Sequence, residues 1–190
     1  MLLNNIQLGA NLGLRGARQA LCLVPVSQAL ERTIKQDDGF DQVLLVGLGI
    51  NAGGDEQDVI DRLRTTGALT LSLVAEDQGE LLGQVTFSPT LNSDGSQPWF
   101  ALGPVSVTPE RQNQGIGGEL IRQGLARIKA LGALGCILTG NPEYYRRFGF
   151  TLAADLVPEA ESAEYFMLYL FAETRPTGQF QFHNAFYGKA

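Results

Sequence analysis

The sequence predicts an α/β (α+β) domain, a sheet with helices packed against it, and three observations lead there. Apolar runs bounded by turn residues occupy 68–76, 81–88, 99–107 and 135–139, which is strand patterning. Two other stretches, one from Asp55 through Leu63 and one over 117–131, repeat their apolar residues at helical spacing. Between the third of those strands and the second helix lies a glycine-rich turn, Gly115-Ile116-Gly117-Gly118, the punctuation of a strand–turn–helix unit. A length of 190 residues suits one domain able to bury a core without staples.

Taken in order, residues 1–28 read as an N-terminal extension and 29–190 as the domain proper. The extension alternates weakly, with glycines at Gly9, Gly13 and Gly16 and with Arg15 and Arg18 breaking its apolar residues. Residues 30–36 suit a first strand, and Asp37 or Asp38 can cap a helix over 40–47. Val43-Leu44-Leu45-Val46 would equally suit a strand. Residues 51–54 break the chain, and Asp55 caps a helix with Val59, Ile60 and Leu63 on one face. In 68–76, Leu69, Leu71, Leu73 and Ala75 alternate with Thr70, Ser72 and Val74. Asp77-Gln78-Gly79-Glu80 is a hairpin connection, and 81–88 returns as the next strand.

After a polar loop over 92–97, Trp99 begins a central strand that Pro109 follows. Its Gly103-Pro104 pair is awkward, since Pro removes a ladder donor and Gly weakens pairing. A bulge there would release this strand from the one at 135–139 and open a wedge between them. The helix over 117–131 aligns Leu120, Ile121, Leu125, Ile128 and Leu131, with Arg122, Arg127 and Lys129 away from that stripe. Further strands are expected over 165–171 and 178–186, the latter carrying His183, the single His, as a packed strand residue.

The turn between the central strand and its helix has a chemical use. First-turn amides lack intrahelical partners and sit at the positive end of the helix dipole, which suits a phosphate or diphosphate. Gly115 and Gly117 let such a group approach the backbone. Neither common phosphate fingerprint matches. A P-loop needs Lys and then Ser or Thr where Gly118 and Glu119 stand. The dinucleotide pattern needs a third Gly where Leu120 stands.

What the letters do spell is Gln-x-x-Gly-x-Gly, read as Gln112, Gly115 and Gly117, directly after an apolar strand. About twenty residues on, Gly135-Cys136-Ile137-Leu138-Thr139 is followed by Asn141, then Tyr145 four places before Gly149, and Phe150. This pair of motifs resembles the cofactor site of the GNAT superfamily of N-acetyltransferases. The resemblance implies the GNAT acyl-CoA N-acyltransferase fold over 29–190, a mixed, mostly antiparallel sheet with splayed central strands flanked by helices. It implies acetyl-CoA as co-substrate, with no metal. It also implies acetyl transfer to a primary amine of a small molecule or peptide by direct attack in a ternary complex.

By the same resemblance, Gln112, Asn113, Gln114, Gly115, Ile116, Gly117 and Gly118 seat the diphosphate, while backbone groups of Val105, Ser106 and Val107 line the pantetheine arm. Asn141 bonds that arm or the adjoining backbone, and Tyr145 protonates the leaving thiolate. Arg147 reads as one half of a structural ion pair, and Tyr144 as packing. Many relatives carry a strand Glu that acts as base through water. Residues 101–107 contain no carboxylate, so the base is unassigned, with Glu56 and Asp58 as suggestions. That gap also keeps open a non-catalytic acyl-CoA-binding or regulatory module. Homodimerisation through late strands is a further family habit.

Composition narrows the partners. A formal charge of −6 gives no support for nucleic-acid binding, which usually shows a basic face. Cys22 and Cys136 lie far apart and read as small buried residues in a reducing cytoplasm. No apolar run is long enough to span a bilayer, and the 20–26 run is short, late and broken by Pro25, unlike a signal peptide.

Overall fold

The computed structural model describes residues 24–25, 33–36 and 56–188. The expectations for 40–47, for 51–54 and for Cys22 fall outside them. Strands β1 (Val24–Pro25) and β2 (Thr33–Gln36) pair antiparallel, so part of the stretch read as an extension joins the sheet. Helix α1 (Glu56–Thr65) buries the expected face of Val59, Ile60 and Leu63. Strands β3 (Leu71–Asp77) and β4 (Glu80–Asn92) form the hairpin. Its two central residues, Gln78 and Gly79, have φ of 50° and 88°, the left-handed pair that a two-residue hairpin turn requires.

Strand β5 (Trp99–Val107) leads into helix α2 (Ile116–Ala130), and β6 (Gly135–Thr139) into the one-turn helix α3 (Pro142–Tyr145). β7 (Thr151–Leu152), β8 (Phe166–Leu170) and β9 (Phe180–Gln181) complete the elements. The sheet runs β1-β2-β3-β4-β5-β6-β8-β7, with β9 on the far end of β4. Every pairing is antiparallel except β5 with β6. The result is the mixed, mostly antiparallel sheet that the sequence led us to expect.

One face of the sheet receives α2, whose Leu120, Ile121, Leu125 and Ile128 pack with Leu71, Leu73, Val85 and Phe87. Gly124 admits the Phe87 ring, since a Cβ there would overlap it. Filling that space costs about 1–3 kcal/mol in a packed core. On the other face Trp99, Ala101, Ile137, Phe166 and Leu168 meet Phe180 and Phe182 from the C-terminal segment. Trp99 and Phe180 touch edge to face at 5.2 Å, a favoured aromatic geometry.

Two details position the site. Val85 pairs with Val105 and Phe87 with Leu102, so Thr86 stands opposite both Gly103 and Pro104. This is the expected bulge, and Thr86 Oγ1 holds it by donating to the Gly103 carbonyl at 2.6 Å. β5 then pairs with β6 only from Trp99 to Ala101. Beyond Ala101 no described strand pairs with that edge of β5, and the two central strands splay.

The C-terminal expectation was too regular. Only Phe180 and Gln181 of 178–186 are strand, and Asn184–Tyr187 form a 3-10 turn. His183 caps that turn, its Nδ1 accepting the Ala185 N–H at 3.2 Å, so a local side-chain bond draws the chain out of the ladder. Leu131 likewise leaves the α2 stripe. The helix ends at Ala130, Gly132 turns the chain at φ 87°, and Leu131 is 59% exposed.

Candidate functional site

The stretch after β5 is built to aim amides outward. Thr108 leads into a 3-10 turn over Pro109–Arg111, and the Gln112 N–H bonds the Pro109 carbonyl. The Gln112 side chain reaches back, its Nε2 donating to the Val107 carbonyl at 3.2 Å, and so braces the loop against the strand end. Asn113 and Gly115 both take left-handed φ, 59° and 83°. Glu119 N–H closes the first helical bond, onto the Gly115 carbonyl. The amides of Ile116, Gly117 and Gly118 precede it and lack intrahelical carbonyls.

A cavity of about 330 Å3 opens against those amides. Gln112, Asn113, Gly115, Ile116, Gly117 and Gly118 line it, joined by Val107, Arg111, Arg122, Tyr144, Arg147 and Phe148. A Cβ on Gly117 would lie 3.1 Å from the Tyr144 hydroxyl and 3.3 Å from Val107 Cγ2; one on Gly118 would lie 3.3 Å from the Phe148 ring. Both glycines therefore sit where backbone must come close to its neighbours. Gln114 turns its side chain away, Nε2 donating to the Glu110 carbonyl. The guanidinium groups of Arg111, Arg122 and Arg147 line it beside the helix N-terminus, and of these Arg111 pairs with Glu80 at 3.8 Å and Arg122 with Glu119 at 2.8 Å, which leaves the cavity rim cationic on balance. Such a cradle fits a polyanion.

The second motif supplies the opposite wall. Asn141 caps α3, its Oδ1 accepting the Glu143 N–H at 2.9 Å, so its side chain engages the adjoining backbone. Tyr144 and Tyr145 part company. Tyr144 and, from the next turn, Arg147 and Phe148 face the anion cavity, as spacing of three and four residues allows. The expected ion pair at Arg147 is replaced by a stack: its guanidinium lies 3.9 Å from the Tyr144 ring centroid, and among the described residues no carboxylate pairs with it. Tyr145 instead lies across Gly140, just past the end of β6, with its ring 5.0 Å from Tyr144 and 5.9 Å from Phe150.

Val105, Ser106 and Val107 pair with Val85, Gln84 and Gly83 along one edge only. Backbone groups of successive strand residues alternate between edges, so this segment also presents amides and carbonyls to the splayed side. From Val107 at the anion cavity back to Leu102 is about 16 Å of extended chain.

At the Leu102 end lies a second cavity, of about 200 Å3. Its lining is Val59 from α1, Leu102, Gly103 and Pro104 from the bulge, Thr139 from the end of β6, and Glu161, Phe182 and Phe186 from later loops. Glu161 Oε1 accepts from the Tyr187 hydroxyl at 3.1 Å. Burial, and then the negative charge of Glu161, push the Tyr187 hydroxyl well above the usual tyrosine range, so it stays protonated and keeps donating. Asp58, suggested earlier as a base, is exposed on α1 and does not line this cavity, whereas its neighbour Val59 does.

Sequence reasoning missed Tyr144, Arg147 and Phe148, which helical spacing after Asn141 could have found. It also missed Glu161, Phe182 and Phe186, for which no local signal existed. Cys136 is wholly buried, and burial drives its thiol pKa far up, leaving it inert. Among the described residues no His, Cys, Asp and Glu side chains converge into a metal site, and no helix is long and apolar enough to cross a membrane.

Residues 69–152, strands β3 to β6 and helix α2 included, match the acetyltransferase (GNAT) domain profile. The uncharacterized N-acetyltransferase YhbS of Escherichia coli K12 is 36% identical over 100 residues, which span 52% of this chain and 60% of YhbS. A GNAT family acetyltransferase from Brucella melitensis, solved in complex with acetyl-CoA, superposes with a TM-score of 0.63 at 45% identity, over 73% of this chain and 82% of that one. YhbS from Escherichia coli, solved in complex with CoA, superposes with a TM-score of 0.66 at 31% identity, over 70% of this chain and 77% of that one. With the bulged, splayed strands and the glycine turn in place, these likenesses settle the kinship: the chain belongs to the GNAT family of acetyltransferases.

Proposed function

We propose that this chain is an N-acetyltransferase that passes an acetyl group from acetyl-CoA directly to a primary amine, with both substrates bound together. The observation that carries this reading is the open edge of β5, which joins an anion-binding cavity to a smaller, mostly apolar one. The glycine approach at 117 and 118 and the cationic rim around them fit a diphosphate. Acetyl-CoA supplies a thioester carbonyl activated for attack and a thiolate leaving group.

The chain's own residues would do the rest. First-turn amides and Arg147 hold the phosphates, and the outward groups of Val105–Val107 orient the arm by strand-like bonding. Backbone N–H groups at the splay polarise the carbonyl as charge grows on its oxygen. A primary amine of pKa about 10.4 is uncharged in roughly one molecule in a few thousand at neutral pH, so the acceptor site must also receive its proton. The nitrogen bonds to the carbonyl carbon, the carbon–sulfur bond breaks, and the thiolate leaves with the electron pair. Tyr145 Oη is the assigned proton donor to that sulfur, and with an alkyl thiol pKa of about 8.5 the help required is modest.

The test is release of free thiol from acetyl-CoA across amines, aminoglycosides, amino acids and peptides, with calorimetric CoA binding measured alongside. Turnover with one class is the expected result. Tight CoA binding without turnover on any acceptor would make the chain an acyl-CoA-binding module instead. No CoA uptake at millimolar ligand would end both readings.

A further inference from the structure

We propose that Glu161 is the carboxylate that captures the acceptor's ammonium, and that the acceptor is a primary amine borne on a single apolar or aromatic ring. This rests on the transferase reading above and names its acceptor class. Four observations converge on it. The cavity at the mouth of the wedge is walled by Phe182, Phe186, Val59 and Leu102, and among the described residues Glu161 is the one charged side chain in its lining. Tyr187 donates to Oε1 at 3.1 Å and so restrains the carboxylate's rotation, with Oε2 taking no part in that bond. Among the described residues no Lys or Arg pairs with Glu161, so a bound ammonium would be its counter-ion in this half-buried setting. Finally, Leu102 is the first residue of β5, and Thr139 the second of β6, past the last β5–β6 pair. An amine held by Glu161 therefore stands beside the apex of the splay.

Size and charge choose among amines. A volume of about 200 Å3 compares with the roughly 150 Å3 apolar cavity that accepts a benzene ring. One ring with a short tail matches this volume, whereas an aminoglycoside, with several rings, is larger. A single carboxylate matches one ammonium, so polyamines carry surplus charge into an apolar pocket. Phe182 and Phe186, 5.4 Å apart, offer ring faces and edges to a flat partner.

The test titrates the CoA-saturated protein with 2-phenylethylamine and with its neutral isostere 2-phenylethanol by calorimetry. We expect the amine to bind about tenfold or more tightly than the alcohol, the range of a charge-assisted bond to a held carboxylate. Glu161→Gln should level the two probes while CoA affinity stays within about twofold. Tyr187→Phe, which loosens the carboxylate without removing it, should lose part of the preference, and Glu161→Lys should reverse it toward 3-phenylpropanoate. Persistence of the full amine preference in Glu161→Gln overturns the assignment, as does a wild-type protein that takes up CoA but does not distinguish amine from alcohol. A wild-type protein that takes up no CoA would instead bring down the transferase reading beneath it.

Discussion

The two cavities along the open edge of β5 are made in opposite ways. The anion cavity is built chiefly from one contiguous loop, 112–118, and from backbone groups that the loop's own turns aim. The cavity at the splay draws on α1, the β5 bulge, the end of β6 and three separate positions after residue 160, and almost all of its character comes from side chains. Backbone recognition by glycines and a helix end is generic, and it suits a cofactor common to many enzymes. Side chains assembled from distant loops can change one at a time, and they suit the substrate that distinguishes one family member from another.

The sharpest way to break this division is Gly117→Glu. The new carboxylate would enter the Tyr144–Val107 gap and face the diphosphate, and CoA affinity should fall by about a hundredfold or more. Calorimetry of CoA binding reads it. Retained affinity would show that the glycine turn is not the phosphate seat.

Tyr145→Phe tests the link between the cavities. It should lower kcat by roughly tenfold or more, with CoA affinity unchanged, because the role proposed for the hydroxyl is at the leaving sulfur and not at the phosphates. Full activity in that variant would return Tyr145 to a purely aromatic role among Tyr144, Phe148 and Phe150.

Phe186→Ala sharpens the comparison from the other end. Phe186 packs on Phe182 and lines the cavity at the splay but not the anion cavity, so acceptor KM should rise by about tenfold while CoA binding holds. Equal losses at both sites would mean that the cavities are one cooperative unit. A smaller effect is expected from Arg147→Ala. It removes a cation whose stack on Tyr144 is worth about 0.5–2 kcal/mol, and CoA affinity should drop by roughly three- to tenfold, more at low salt.

The smallest effect lies outside both sites and controls for global change. The Ser96 hydroxyl, then the Thr177 and Ser96 amides, bond the Asp94 carboxylate and lower its pKa to about 2. The folded-state value lies below the ordinary 3.8. Its stabilisation is therefore present above that ordinary value and disappears as pH falls through about 2. Asp94→Asn should be slightly less thermostable than wild type at pH 7, with the gap closing toward pH 2. A gap independent of pH would assign the effect to packing.

Strand and helix periodicity made most of the sheet legible, because β3, β4, β5, β6 and α2 carry their pattern locally. The bulge was legible for the same reason, since Gly103 and Pro104 disturb a ladder wherever they stand. The tail misled, because His183 bonds an amide two residues on and cuts the strand short. Arg147 misled because stacking leaves no mark in spacing, whereas an ion pair often does.

By itself, then, the order of residues determined the glycine turn, the helix that follows it and the interruption that splays the central strands, since each depends on backbone freedom within a few positions. Only the tertiary structure decided which carboxylate and which rings gather at the splay. Glu161, Phe182, Phe186 and Val59 are separated by up to 127 residues of chain, and no local preference encodes their meeting. That meeting follows from sheet order and from the burial of the C-terminal segment against Trp99 and Phe166.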